Sequence, residues 1–228
     1  MKRIAPSAES PFAPRQARSR ATADRLLLAT LQVLEEKGLD AAVIPAIAAA
    51  ARVAPASVYR RFADKDDLLR SAFLKLLRQS HQNNSEHAKD KFLRDSLPKT
   101  ARRVVQLWFE QYRQHPGLFR ALVRFLETDS NAEFVHEARS ILRSNIEIIV
   151  DVMLVHRPEF ASRISRRDVR FAVFNCGCSV YTYMLDPHSL WHTEPQITEA
   201  ELGRLLTRNL LAFLGREHRD RLPLRKAS

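Results

Sequence analysis

IPAIAAAARVAPASVYRRFADKDDLL, residues 44–69, decides the fold, because its apolar spacing and its two prolines spell two short helices joined by a turn, with a third helix starting behind them. Pro45 suits a first helical turn, where its missing N–H would be unpaired in any case. Ile47 and Ala51 stand four apart on one face, and Ala48 has almost no side chain, so a second helix can cross closely. After Val53, Ala54-Pro55 holds Ala54 extended and sets Pro55 at a new helix start, since a residue before proline avoids the α region.

In that second helix Val58 and Phe62 share an inward face, which leaves Ala56, Ser57, Tyr59 and Arg60 on the outer and flanking faces. Short residues let the helix approach a groove, hydroxyls bond phosphate, and a guanidinium pairs with the O6/N7 edge of guanine. Asp64 then caps the third helix with Asp67 at its N3 position, an acidic relative of the capping box, and Asp66 suits the positive helix end. Lys65 stays free to reach a phosphate.

The run IAxxAxVxxxSVYRRFxDKDDLL resembles the DNA-binding segment of the TetR family of bacterial transcriptional regulators, which typically reads IAxxAGVSxGTLYxHFxSKExLL. The matches are Ile47, Ala48, Ala51, Val53, Tyr59, Phe62, Lys65, Leu68 and Leu69, with Ser57 and Val58 as close substitutes. The departures are Arg52 and Ala56, where the family usually has glycine, and Ala54, where it usually has serine. Arg52 is expected to take a left-handed turn conformation at some cost. Ala54 cannot cap the recognition helix, a loss of roughly 1 kcal/mol.

Working outward, the composition is that of a soluble helical protein. Only five glycines occur in 228 residues, long stretches are leucine-rich, and runs of β-branched residues are few. Residues 1–18 carry Pro6, Pro11 and Pro14 among small and charged residues and are expected to be a disordered basic arm. A first helix is expected from about Ser19 to Lys37, with Leu26, Leu27, Thr30, Leu31, Val33 and Leu34 as its apolar side and Gly38 as its stop. Residues 19–67 then form a helix-turn-helix DNA-binding domain. The helix starting at Asp64 carries Leu68, Leu69, Ala72, Phe73, Leu76 and Leu77 and points out of it as a coupling rod.

The net charge of +11 is weak support for DNA binding, because residues 1–67 hold 11 Lys+Arg against 8 Asp+Glu and so carry only +3 of it. Local clustering says more: Arg15, Arg18 and Arg20 lie in the arm and its border, and Arg60, Arg61 and Lys65 gather at the recognition helix. The candidate DNA contacts are Arg20, Pro55, Ala56, Ser57, Tyr59, Arg60, Arg61 and Lys65.

The polar run HQNNSEHAKDK within 79–96 predicts a helix end and a connection there. Beyond it, residues 68–215 are expected to form a helical effector-binding and dimerisation domain, followed by a basic tail over 216–228. Pro98 opens a helix that His115-Pro116-Gly117 breaks, and a short helix with Phe119 and Phe125 follows. Ser130 with Glu133 is expected to open the next helix, Ser165 with Asp168 the one after, and Thr198 with Glu201 the last, where Ile197 and Leu202 form a hydrophobic staple. Trp108, Tyr112, Phe119, Phe125, Phe174 and Cys178 are candidate effector-pocket residues, with plain core packing as the alternative. The segment 166–185 is apolar nearly all round and needs cover on both sides. The family resemblance implies that it and the helix near 198–214 pair with their copies in a homodimer.

Cys176 and Cys178 stand two apart, about 200° apart on a helix, and cannot easily share an ion. The eight histidines show no metal spacing, and there is no GxSxG or glycine-rich phosphate loop, so neither a cofactor nor an enzymatic activity is expected. No apolar run approaches the roughly 20 residues of a bilayer span, and the N-terminus lacks the apolar core of a signal peptide, which points to the cytoplasm.

The reading is an all-α, ligand-responsive homodimeric repressor binding a palindromic duplex operator, with an unknown small-molecule effector. A constitutive DNA-binding or architectural protein, and a helical carrier or enzyme with a relic DNA-binding domain, are the alternatives.

Overall fold

The computed structural model describes residues 13–92, 95–193 and 196–215, with side chains described over 19–86, 95–193 and 196–215. The described residues form nine α-helices, two short 3-10 segments and no strand. They divide into two compact units on either side of 75/76, a point inside one long helix.

The first unit holds α1 (Ala13–Ala41), α2 (Ile44–Ala50), α3 (Pro55–Tyr59) and the start of α4 (Lys65–Phe92). Of the arm expected over 1–18, residues 1–12 lie outside the described residues, as does the tail over 216–228, and α1 already begins at Ala13. Leu26, Thr30, Val33 and Leu34 are buried, whereas Leu27 and Leu31 are only partly so. Thr30 satisfies its buried hydroxyl by donating to the Leu26 carbonyl. Gly38 breaks the helical geometry at φ 77°, which glycine adopts without steric cost. Ile47, Val58, Leu68, Leu69 and Phe73 are fully buried with Leu26 and Leu34, so every helix of this unit gives side chains to its core. Lys75 pairs with Asp24, tying α4 to α1.

The second unit contains the rest of α4, then α5 (Leu97–Gln114), α6 (Pro116–Thr128), α7 (Ala132–Leu154), α8 (Arg166–Leu185) and α9 (Glu199–Leu214). The helix end and connection expected within 79–96 lie between Phe92, where α4 stops, and Leu97, where α5 starts, so α4 runs through most of the polar stretch. Side-chain contacts replace the missing apolar face: Gln82 donates to Glu86 one turn on, Arg78 pairs with Glu137 of α7, and His81 and Asn84 both reach the Asn145 amide oxygen at 3.2 and 3.3 Å. The capping box expected at Ser130 is replaced by Asn131, whose side-chain oxygen accepts from Phe134 N–H at 2.9 Å while Asp129 holds the Asn131 N–H. The boxes at Ser165/Asp168 and Thr198/Glu201 form fully.

α5 packs against α8 and α9, and α8 also packs against α7. Gly177 is what lets α5 and α8 close: a Cβ there would stand 3.1 Å from the Trp108 ring. Gly177→Ala must push the indole aside and is expected to cost about 1–3 kcal/mol, as overpacking does. A urea midpoint equal to that of the parent chain would show that the ring yields freely.

Candidate nucleic-acid interface

The turn between α2 and α3 is closed by backbone alone. Val53 N–H donates to the Ala48 carbonyl and Arg52 N–H to the Ala49 carbonyl, both at 3.0 Å, which is the double bond pattern of a Schellman motif. That motif needs a left-handed residue after the cap, and Arg52 takes it at φ 54°. The residue at the family's glycine position therefore carries strain that a side chain makes unfavourable. Arg52→Gly is expected to raise the unfolding free energy by about 1 kcal/mol, read as a higher urea midpoint with an unchanged slope. A lower midpoint would mean that the arginine makes contacts worth more than the strain.

α3 starts at Pro55 after an extended Ala54, with no side-chain cap. Val58 is its buried anchor, and Phe62 packs behind it. Asp64 accepts from Asp67 N–H at 2.7 Å, and the Asp67 carboxylate turns back to Ala63 N–H at 2.9 Å. This reciprocal cap reaches one residue further back than a standard box and fixes the exit from α3 into α4.

These anchors leave Pro55, Ala56, Tyr59 and Arg60 exposed together, with Ser57 and Lys65 partly so. Tyr59 is 61% exposed, so packing does not account for it. Arg60 Nη2 donates to Ser57 Oγ at 2.7 Å, which holds the guanidinium along the open side of α3. Arg61 behaves differently. It donates to the Ser57 carbonyl at 3.0 Å, and its Nε is buried without a partner, so it braces its own helix rather than presenting a free cation. Arg20 is exposed on α1.

Of the six candidate pocket residues, Trp108, Phe119 and Cys178 gather around Tyr112, and Phe125 and Phe174 lie apart from them. Tyr112 is surrounded by rings, stacked with Trp108 at 6.2 Å and edge-on to Phe119 at 5.0 Å and Tyr181 at 6.1 Å. Burial pushes the Tyr112 phenol far above its ordinary pKa. Phe125 instead pairs with Phe134 at 5.5 Å. Phe174 is 53% exposed, and Cys178 is also exposed, with its thiol beside Tyr112. Tyr181, which the sequence reading omitted, belongs to the ring cluster, and its spacing of four from Gly177 was the available signal. Cys176 is buried, and burial pushes its thiol up to about 11. Among the described residues no group of His, Cys, Asp or Glu is arranged to hold a metal ion, and no helix is long and apolar enough to cross a membrane.

Residues 26–72 match the family described as bacterial regulatory proteins, tetR family. An uncharacterized HTH-type transcriptional regulator of Mycobacterium tuberculosis is 28% identical over 155 residues, covering 64% of this chain and 68% of its own. The transcriptional regulator FadR from Bacillus subtilis, solved in complex with stearoyl-CoA, superposes with a TM-score of 0.57 at 20% identity, covering 84% of this chain and 97% of that one. A bacterial regulatory protein in the tetR family from Rhodococcus RHA1 gives 0.59 at 16% identity, covering 85% and 97%. At these identities the two solved structures establish a shared fold.

Proposed function

We propose that this chain, a TetR-family transcriptional regulator, acts as a ligand-responsive homodimeric repressor of a palindromic operator. The observation that carries the reading is the α3 face, where a backbone-closed turn and a buried Val58 leave Tyr59 and Arg60 exposed beside small residues. Residues 19–67 are the reading part and residues 68–215 the responding part. Two copies of α3 reach successive major grooves if the dimer holds them about 34–36 Å apart, or a multiple of that. An effector would relieve repression by preferring a dimer with another separation, and only by as much as it prefers it.

Phe171 is 62% exposed and Phe174 53%, on a face of α8 that continues into Phe213 of α9, whose ring lies 6.0 Å from that of Phe171. Exposed aromatic surface of this kind suits a second copy. Phe174→Asp is expected to turn a dimer into a monomer in sedimentation equilibrium at micromolar concentration. A variant that stays dimeric would place the interface elsewhere.

The central test is selection of bound sites from a random-sequence duplex pool. A palindrome supports the reading, and sequence-independent, salt-sensitive binding alone overturns it. A constitutive regulator is the second reading, favoured by the way Trp108, Phe119 and Tyr181 crowd Tyr112. Operator affinity that stays constant in the presence of every compound shown to bind would select it.

A further inference from the structure

We propose that the groove between α5 and α9 is a binding site for an amphipathic anion. It is an open concavity of about 1290 Å³. Its volume exceeds the roughly 300–1,000 Å³ of common ligand sites. None of the aromatic pocket candidates lines it.

α5 and α9 run antiparallel, because Arg113 near the end of α5 pairs with Glu199 at the start of α9, and Phe109 stands against Gly203 one turn along. The same register brings Arg102 level with the turn that follows Arg208. Both line the groove, both are exposed, and neither has a carboxylate within ion-pair distance among the described residues. At this end Glu159 also lines the groove, engaged with His156 at 3.0 Å. Glu110 belongs to the opposite end, nearer Arg204, by the same register. The Arg102 end thus carries two guanidinium groups against the single carboxylate of Glu159, a net positive charge.

The stretch between is apolar and shallowly floored. Phe109 and Leu211 lie beneath it, and Gly203 leaves open the space that a side chain would fill, its nearest ring atom being 3.6 Å from an added Cβ. A molecule with an anionic head and an unbranched apolar body matches both features: its head meets two guanidinium groups, which favour carboxylate or phosphate geometry, and its body covers the Phe109 strip. A cation of the same shape is repelled at the head.

The test is calorimetric titration of the full chain, without DNA, with decanoate and with decyltrimethylammonium below their micellar concentrations. The expected result is saturable binding of decanoate at one site per chain, at least tenfold weaker binding by Arg102→Ala/Arg208→Ala, and no binding of the cation. Gly203→Leu favours the helix while filling the groove, and it is expected to reduce decanoate binding with the arginines intact. Three results overturn the proposal: no saturable decanoate binding, equal binding of the cation, or undiminished affinity in either variant whose circular dichroism matches the parent. Because no duplex is present, failure here is distinguishable from failure of the operator reading.

Discussion

Phe73→Ala is expected to leave the first unit largely unfolded at 37 °C. Phe73 is fully buried and is the largest such side chain among the described residues. It lies on α4, in a unit whose other large, fully buried side chains are Leu26, Leu34, Ile47, Val58, Leu68 and Leu69. Truncating a buried phenylalanine removes its transfer free energy and leaves a cavity, together about 3–5 kcal/mol. Against a typical total of about 5–15 kcal/mol, and less for so small a unit, that is most of the margin. Hydrogen exchange should then show amides of residues 26–62 losing protection while those of α8 keep theirs. Retained protection across both units would mean that the surrounding leucines collapse into the space.

The reach of the sequence is clearest where one residue controls the local backbone. Pro55 after Ala54, the boxes at Ser165 and Thr198, and the left-handed Arg52 are short-range consequences of side-chain chemistry, and all appear in the structure. Reading fails where distant groups decide. α4 does end within the polar stretch, at Phe92, but how far it runs before ending depends on support from Glu137 and Asn145, roughly 60 residues away. Asn131 displaces Ser130 as a cap because Asp129 holds its N–H, a preference that spacing alone does not rank.

The candidate sites divide in the same way. The α3 face was legible because an outward face follows from helical period once Val58 is known to point inward. Spacing does not tell that Arg61, a candidate contact beside Arg60, also braces the Ser57 carbonyl. Among the aromatic candidates, Trp108, Tyr112 and Phe119 do come together, but spacing alone does not separate them from the others. Only the packing shows that Phe125 joins Phe134, that Phe174 faces out, and that the large concavity lies along α5 and α9. A groove between two helices depends on the register of both, and no local pattern encodes that.

Arg60→Ala is expected to cost operator binding more than any other surface substitution on α3, and to cost it selectively. Its guanidinium is exposed, and Ser57 Oγ holds Nη2 at 2.7 Å, so part of the ordering entropy is met before DNA arrives. A bidentate pair with a guanine edge is worth about 1–3 kcal/mol of discrimination. A homodimer loses that pair in both half-sites, so the combined loss is about 2–6 kcal/mol, roughly thirtyfold or more in affinity. The loss should fall on one symmetric base position, with other positions still read. Lys65→Ala supplies the contrast: a phosphate contact gives up affinity on every sequence alike and lowers the salt slope by about 1 per half-site. Ser57→Ala should weaken binding less than Arg60→Ala while affecting the same base position, because it frees the guanidinium without removing it. If Arg60→Ala instead weakens all duplexes equally and lowers the salt slope as Lys65→Ala does, Arg60 touches the backbone and base reading belongs to another residue of the α3 face.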